Sequence, residues 1–565
     1  MSSAASTPAS RLGAALAAIA LWFVTALGLL CTPLGSYDEP LLLVGARLVA
    51  AGKLPYVDFY THYGPLGYTL TSLFLHVGNA GTGYRVMQSV ALALVALPSV
   101  VLAGRLADRL RGALLGLSLF LLNVSAALIC AHALGYAFGV LALELAALAE
   151  TETDPGRVRP LWLAAGVAVG LTGLVRPAFA AYVAAALIGL AAAMRFRAAA
   201  RLGALITAGA ATVAVVWLSL YRAIALGDAW FATLVVPARL IAGGGRFLTP
   251  RPLPPAYGTS VQTAFAMLLL ASMFTLATLP SLRFGRPAAR AAAGAGVALA
   301  FAAPLFLAVS TRGPQLGALL AALLWILAFV SLALAADTLR ESAASRVCAL
   351  AGLAGLAFLH YYLARADRDH LTAAAALVVS GSTVQLVRAS RRLRFALAAP
   401  IAVVMVPLVL SYPALGIGRE PEYPLTPMTT GFWARFPAAA FPTAVVEAVK
   451  RADRDADPNS RFVAAASDHS LTDRSSIDAF LLSARLPYTR WYQYDPGVQS
   501  NPLVQAEMVE ELKRSGSATA VVWKSEAFHG EREADPPRTP LDRELHRMYP
   551  RRVAEFGAFE VREAP

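Results

Sequence analysis

Long apolar runs recur along most of this chain, and they constrain its fold more than any other feature of the sequence. Most are about 17–22 residues long, which is the length that an α-helix needs to cross a bilayer. Hydrophobic residues make up 57% of the chain and charged residues 15%, against about 25% charged residues in soluble domains. The runs are 12–32, 84–104, 113–131, 134–150, 161–175, 177–194, 202–222, 259–280, 292–310, 316–336, 348–363, 371–387 and 395–412. They predict a mainly α-helical, polytopic membrane protein with about thirteen transmembrane helices.

Arginines in the turns between these runs predict which side of the membrane each turn faces. They occur in every second turn, and positive residues are enriched in turns on the cytoplasmic side. These arginines are Arg11; Arg105, Arg109 and Arg111; Arg157 and Arg159; Arg195, Arg197 and Arg201; Arg283, Arg286 and Arg290; Arg340 and Arg346; Arg388, Arg391, Arg392 and Arg394. The same register places residues 33–83, 223–258 and 364–370, and the chain after Tyr412, outside the cytoplasm. Because the net charge of +13 is spread over separate turns, it predicts contact with a bilayer and no nucleic-acid partner.

The chain becomes polar after residue 412, and we predict two domains. A transmembrane domain covers 1–412, and a small extracytoplasmic α/β domain covers 413–565. Short apolar runs at 461–466, 518–523 and 553–561 predict strands. Asn501, Pro502 and Gly516 bracket a predicted helix as N-cap, first-turn proline and terminal glycine. Strands that alternate with helices are typical of an α/β domain.

Several classes of cofactor site have no counterpart in this sequence. Cys31, Cys130 and Cys348 lie in or beside predicted spans, and three isolated cysteines form neither a disulfide framework nor a metal cluster. The sequence also has no nucleotide P-loop, no dinucleotide fingerprint and no zinc-protease helix. We therefore predict a protein without a bound cofactor.

Two adjacent carboxylates, Asp38 and Glu39, follow the first apolar run. Elsewhere the chain is poor in acidic residues. A carboxylate at the membrane surface, covered by apolar and aromatic residues, is suited to act as a general base. A structural interpretation is equally open, because Asp followed by Pro40 in the first turn is typical of a helix N-terminus. The two roles are compatible.

The segment that starts at Asp38 resembles the first outer loop of the GT-C class of membrane glycosyltransferases. This class uses sugars linked to lipid phosphates and includes the protein O-mannosyltransferase and aminoarabinose transferase superfamily. The matching positions are Asp38, Glu39, Arg47, Gly52, Pro55, Tyr56, Asp58, Phe59, Gly64 and Pro65. The resemblance implies that Asp38 deprotonates an acceptor hydroxyl, which attacks the anomeric carbon with inversion. It places Glu39 in the same catalytic site, where it either takes part in the reaction or only orients the loop.

Other polar residues of the predicted outer loops are candidates for the acceptor side of the site. Asp58 is a possible supporting carboxylate, although aspartate in a Pro-Tyr-x-Asp turn is as often structural. His62 and Tyr63 lie in an aromatic-rich segment that suits the headgroup layer. A lone histidine in such a loop is more often a hydrogen-bonding residue than a ligand. His132 lies in the second outer turn, which carries no carboxylate.

Arginines on the predicted outer side are candidates for binding the donor phosphate. Arg176 precedes Pro177 between two closely spaced runs, where an unpaired charge is costly unless it faces a polar cavity. Snorkelling of Arg176 to the interface is the alternative. A second cluster resembles the Arg-x-Asp-x-x-His-Leu pattern in a late outer loop of bacterial GT-C enzymes. It contains Arg365, Asp367, Arg368, His370 and Leu371. Arg365, Arg368 and His370 either bind phosphate or form ion pairs with the nearby aspartates.

The predicted loop over 223–258 is rich in glycine and proline, and we interpret it as a mobile lid over a cavity. In GT-C relatives that bind a divalent metal, the ligands generally come from the first and second outer loops. Since the second outer turn here has no acid, the resemblance favours a metal-independent reaction. Metal binding that involves Asp58 stays as the alternative.

These observations predict an inverting glycosyltransferase of the bacterial cytoplasmic membrane. Its donor would be a polyprenyl-phosphate-linked sugar, and its acceptor a cell-envelope glycan, lipid or protein. One alternative is a transporter or flippase of lipid-linked glycans, which predicts broken helices with charges at mid-membrane. Another is a lipid-linked glycan polymerase or ligase of similar topology.

Overall fold

The computed structural model describes most of the chain outside several gaps. The described residues are 8–34, 38–106, 133–194, 199–236, isolated positions between 324 and 339, 342–364, 368–388, 425–469, 477–493, 498–499, 501–524 and 539–565.

Eight of the predicted spans coincide with apolar helices. In chain order, the α-helices that the structure describes before residue 400 are α1 (Pro8–Leu30), α2 (Asp38–Ala50), α3 (Pro65–Ser72), α4 (Ala80–Leu106), α5 (Ala133–Thr151), α6 (Pro155–Val175), α7 (Pro177–Met194), α8 (Ala199–Leu220), α9 (Leu226–Trp230), α10 (Ala343–Ala364) and α11 (Arg368–Arg388). Of these, α4, α5, α6 and α8 are long and apolar enough to cross a membrane, and α7, α10 and α11 contain shorter apolar stretches. The runs at 113–131, 259–280, 292–310 and 395–412, and most of 316–336, lie outside the described residues.

The chain forms two compact units, and each unit draws on separate stretches of sequence. In the described residues, the first unit contains 8–29, 88–220 and the helical segments between 324 and 388. The second contains 30–87, 221–236 and the described residues from 425 to 565. The outer loop that carries Asp38 therefore belongs to the same unit as the C-terminal segments, although more than 300 residues separate them in sequence.

Buried acids connect the helices of the first unit. Glu150 is 4% exposed; it forms an ion pair with Arg201 of α8, and its Oε2 lies 2.5 Å from Nε of Arg346 of α10. Two turns earlier on α5, Glu144 accepts a hydrogen bond from Ser99 of α4. Paired or hydrogen-bonded polar groups are the form in which charge is tolerated inside apolar surroundings.

The C-terminal part of the second unit is an α/β arrangement. Its elements are β1 (Leu425–Pro427), β2 (Ala440–Pro442), α12 (Thr443–Asp453), β3 (Val463–Ala466), α13 (Asp478–Leu482), α14 (Pro502–Lys513), β4 (Thr519–Trp523), α15 (Pro540–Met548), β5 (Arg551–Phe556) and β6 (Phe559–Glu563). Strands β1 and β2 form an antiparallel pair. The second sheet has the order β3-β4-β6-β5, in which β3 and β4 are parallel and the other pairs antiparallel.

Local sequence signals predict part of this arrangement and miss one turn. The Asn501 side chain accepts a hydrogen bond from the Leu503 N–H at 2.9 Å, which confirms the predicted N-cap. The single strand expected over 553–561 is wrong, because the chain reverses at Gly557 and forms β5 and β6. Gly557 has φ = +57°, a left-handed conformation that glycine adopts without a steric penalty.

A buried His469–Asp542 pair connects the end of β3 to α15 and predicts sensitivity to acid. Asp542 Oδ1 lies 2.5 Å from His469 Nδ1, and Oδ2 accepts a hydrogen bond from the Thr539 hydroxyl at 2.6 Å. Burial alone raises the pKa of Asp542, but the charge and hydrogen bond of His469 lower it, and the net shift is downward. The ionised Asp542 carboxylate therefore contributes its full stabilisation of the fold above about pH 4, the ordinary aspartate pKa. This contribution is lost as pH falls through the lowered pKa.

We expect Asp542→Asn to make the unfolding free energy of the full chain less dependent on pH in acid, as followed by near-UV circular dichroism. An unchanged pH slope would contradict it.

Candidate active site

Asp38 lies at the beginning of α2 and is partly exposed, whereas the residues that follow it are buried. Carboxylates in the first helical turn interact favourably with the helix dipole, so Asp38 and Glu39 help to start the helix. The expected helix start, with Pro40 in the first turn, is confirmed to within one residue. Within the described residues, no hydrogen bond or ion pair occupies the Asp38 carboxylate.

Glu39 has a different environment, because Arg85 of α4 holds it in a buried bidentate ion pair. Arg85 Nη1 and Nη2 lie 2.5 and 2.9 Å from the two carboxylate oxygens. The same guanidinium donates to the carbonyl oxygens of Thr32 at 3.2 Å and Pro33 at 2.5 Å. Arg85 is 2% exposed and Glu39 is 8% exposed. The pair thus joins α4, the segment before α2 and α2 itself, and it fixes the position of the Asp38 loop.

Sequence reasoning missed Arg85, although a usable signal was present. Arg85 lies at the predicted outer end of the span 84–104, where positive residues are disfavoured. The same argument singled out Arg176 as a functional candidate. Applied to every arginine at a predicted outer end, it would have identified Arg85.

Asp58 closes a tight turn over residues 54–58. Its carboxylate accepts a hydrogen bond from the Leu54 N–H at 2.8 Å, and Lys53 Nζ lies 3.7 Å away. Tyr56, inside this turn, has φ = 69°, a strained conformation for a residue with a side chain. The Tyr56 hydroxyl donates to the carbonyl of Tyr63 at 2.6 Å, and burial raises the pKa of this phenol well above its ordinary value. These contacts match the structural interpretation of Asp58.

His62 and its neighbours contact a C-terminal segment. The Gln493 side-chain amide nitrogen lies 2.8 Å from His62 Nδ1, within hydrogen-bond distance. The Tyr60 N–H donates to the carbonyl of Arg490 at 2.9 Å, and the Tyr60 ring lies 4.9 Å from that of Trp491. Residues 60–62 therefore contact residues 490–493, a contact that the sequence did not predict.

Arg176 belongs to the first unit and lies where the sequence placed it, between α6 and α7. It is the C-cap of α6, with Pro177 as the first residue of α7. Its side chain is buried, at 9% exposed, and its guanidinium lies 5.7 Å from the centre of the Phe179 ring. Burial within the protein differs from the simple snorkelling alternative, in which the side chain extends to the interface.

The other predicted site residues lie wholly or partly outside the described part of the chain. His132 and Arg365 lie outside the described residues, as does 237–258 of the proposed lid. Arg368 and His370 open α11, and the backbone alone is described at these positions. The lid segment begins with α9 and a π-helix (Phe231–Val235), where Trp230 is 62% exposed. In the described part of the chain, no group of three or more His, Cys, Asp or Glu residues forms a metal-binding cluster.

Comparisons with known proteins give matches among solved structures alone. No family model matches the sequence, and no curated protein does. The oligosaccharyltransferase of Archaeoglobus fulgidus in its apo form matches at 12% identity over 95% of this chain and 72% of that one, with a TM-score of 0.45. The oligosaccharyltransferase AglB from Archaeoglobus fulgidus, in complex with an inhibitory peptide and a dolichol-phosphate, matches at 14% identity over 94% of this chain and 72% of that one, with a TM-score of 0.44. ArnT from Cupriavidus metallidurans matches at 12% identity over 98% and 97%, with a TM-score of 0.39.

Proposed function

We propose that this chain is an integral membrane glycosyltransferase with Asp38 as its general base. The donor is a sugar linked to polyprenyl phosphate, and the acceptor is a hydroxyl at the extracytoplasmic face of a bacterial cytoplasmic membrane. The contrast between the two adjacent acids carries the proposal. Glu39 is held in a bidentate ion pair with Arg85. The Asp38 carboxylate next to it is partly exposed and accepts no hydrogen bond from the described residues. A general base requires such an available oxygen.

The proposed reaction is a single displacement. Asp38 takes the proton of the acceptor hydroxyl as the acceptor oxygen attacks the anomeric carbon. The bond between that carbon and the lipid phosphate oxygen breaks, the configuration inverts, and polyprenyl phosphate leaves with its electron pair. Arg176 and Arg365, with Arg368 and His370, stabilise the negative charge on the departing phosphate. No cofactor takes part.

Release of polyprenyl phosphate tests the proposed reaction directly. Purified protein in lipid nanodiscs would be incubated with polyprenyl-phosphate hexoses and pentoses and with a cell-envelope extract as acceptor. We expect polyprenyl phosphate to appear with at least one donor, measured by mass spectrometry. In proteoliposomes, movement of a labelled polyprenyl-phosphate sugar between the leaflets, with no polyprenyl phosphate released from any donor, would support the flippase instead. Transfer of whole glycan chains would support the polymerase or ligase.

A polar contact between two helices of the first unit bears on the transporter alternative. The Glu144–Ser99 pair is a polar contact inside two membrane-length helices, as a substrate path would require. Yet α5 runs without interruption from Ala133 to Thr151 past Glu144. Transporter sites are typically formed at broken helices, so this feature favours the enzyme.

The topology that the proposal requires can be checked with fusions. We expect a reporter fused after Gly418 to be active if it matures only after export, because the C-terminal domain would lie outside. A reporter fused in the turn 388–394 should be active if it matures only in the cytoplasm. The opposite pattern would place Asp38 on the cytoplasmic side and rule out the proposed reaction.

The two arginines from separate spans are expected to share one phosphate. A hydrogen bond to a charged group is worth about 1.5–3 kcal/mol, so Arg176→Met or Arg365→Met should weaken donor handling about 10- to 100-fold. The double variant should cost less than the sum of the two losses if both contact the same group. The measurement is kcat/KM for the donor in the four-variant cycle. Strict additivity would show that the two arginines act at separate places.

A further inference from the structure

The helix that carries Asp38, α2, contacts the C-terminal segments through Arg47, which binds the end of α13. Arg47, near the end of α2, donates from Nη1 to the carbonyl oxygens of Phe480 and Leu481, each at 3.1 Å. The same guanidinium donates to the carbonyls of Ser483 and Arg485. These carbonyls belong to the last turn of α13 and the segment after it. The final carbonyls of a helix have no partner within the helix and interact favourably with a cation, so Arg47 caps α13.

The carbonyls that receive Arg47 are themselves held by the C-terminal core. Arg485 forms an ion pair with Asp453 of α12 at 2.8 Å and donates to the Ser460 hydroxyl at 2.9 Å. Its guanidinium also lies 5.2 Å from the centre of the Phe462 ring. Arg485 is 6% exposed and Phe462 is fully buried. The segment whose carbonyls bind Arg47 is therefore held by contacts with the C-terminal core.

A second contact is made closer to Asp38. The Tyr492 hydroxyl, fully buried, donates to the carbonyl of Leu41 at 3.3 Å. A Cβ atom added to Gly45 would lie 2.8 Å from the same hydroxyl and 2.3 Å from Cε1 of Tyr68. Gly45 thus permits the close approach of Tyr492 to the helix backbone. Leu41 is one turn beyond Asp38 along α2, since a turn contains about 3.6 residues.

We infer that the C-terminal domain sets the position of the Asp38 carboxylate, with Arg47 and Tyr492 as positioning residues. The inference rests on the proposed function in taking Asp38 as the base. The C-terminal segment holds α2 at Leu41, Gly45 and Arg47, which restricts both rotation and sliding of the helix. A displacement of about 1 Å between reacting groups can cost about 100-fold in rate. The contacts that hold α2 in place therefore affect the rate of catalysis, although they do not touch the substrate.

A distance measurement tests the positioning without requiring activity. Spin labels would be attached at Asp38→Cys and Leu503→Cys, after Cys31, Cys130 and Cys348 are replaced by serine, and read by double electron–electron resonance. Leu503 is 82% exposed on α14, so it tolerates a label. We expect a narrow distance distribution in the parent and a broadened or shifted one with Arg47→Met. The control is Arg451→Met, which removes the same charge from an ion pair with Glu563 within the C-terminal domain. An Arg47→Met distribution with the same mean distance and the same width as the control's would overturn the inference.

Kinetics of the same substitutions, made with Asp38 intact, separate positioning from general loss of structure. Arg47→Met should lower kcat about 100-fold while KM for a polyprenyl-phosphate sugar stays within about twofold. Tyr492→Phe, which removes a hydroxyl and keeps the ring, should lower kcat by a smaller factor and covers the case in which Arg47→Met fails to fold. Proportional loss of folded protein and of activity, with kcat per folded molecule unchanged, would refute the positioning role. A changed distance distribution with unchanged kcat would refute Asp38 as the base and leave the grip on α2 standing.

Discussion

Asp38→Asn is expected to lower the transfer rate by about 10²–10⁴-fold, the usual contribution of a general base. Asparagine has nearly the same size as aspartate and cannot take the acceptor proton. Because no described residue forms a hydrogen bond or ion pair with the Asp38 carboxylate, the substitution should not unfold the protein. Binding of polyprenyl phosphate to the purified variant should stay close to that of the parent. The measurement is single-turnover transfer with purified protein in nanodiscs.

Asp58→Asn is the matched control for this prediction. It changes a carboxylate in the same outer loop, but that carboxylate accepts the Leu54 N–H within a turn. An amide oxygen can accept the same bond, so we expect a loss of less than about tenfold, from a net hydrogen-bond change of about 0.5–1.5 kcal/mol. Equal losses for the two variants would argue for a general effect of charge in the loop. Full turnover of Asp38→Asn would remove Asp38 from the mechanism.

Arg85→Met is expected to destabilise the protein by about 3–5 kcal/mol, the usual cost of leaving one member of a buried ion pair without its partner. Glu39 would then carry an uncompensated charge at a site where it is 8% exposed. The measurement is the unfolding midpoint of the full chain in detergent, compared with the parent protein. Activity should fall with stability, because the pair holds the segment on both sides of Asp38.

A double substitution tests whether the effect comes from the unpaired charge. Replacing a buried ion pair by apolar residues of similar volume is often neutral or stabilising. We therefore expect Glu39→Met with Arg85→Met to be more stable than Arg85→Met alone. If the double variant were the less stable of the two, the buried charge would not be the source of the loss. Activity of a stable double variant would also show that Glu39 has no chemical role.

Local and periodic features of this fold were predictable from the sequence. Eight helices follow from apolar runs of membrane length, because a chain in lipid must satisfy its backbone hydrogen bonds internally. The start of α14 follows from Asn501 and Pro502, whose effects act over one helical turn. The acidic start of α2 is likewise local. In these cases the signal and its structural effect lie within a few residues of each other.

Contacts between distant parts of the chain were not predictable in this way. Glu39 is 46 residues from Arg85, and His62 is 431 residues from Gln493. Nothing in one sequence states which of many arginines pairs with which acid, since the choice depends on how the units pack. The resemblance already assigned the base to Asp38, and the structure adds that Glu39 is paired with Arg85. The hairpin at Gly557 is a smaller failure, in which an apolar pattern outweighed a glycine turn signal.

Asp38 of this chain is proposed to drive transfer of a sugar to a cell-envelope acceptor. Mass spectrometry of envelope glycans and of polyprenyl-phosphate lipids tests it most directly, in three strains that carry the parent gene, a deletion and the Asp38→Asn allele. We predict that the deletion and the Asp38→Asn strain lose the same glycan and accumulate the same polyprenyl-phosphate sugar, with the variant protein present at parental levels. A glycan profile in the Asp38→Asn strain identical to that of the parent, while the deletion strain differs, would contradict the claim.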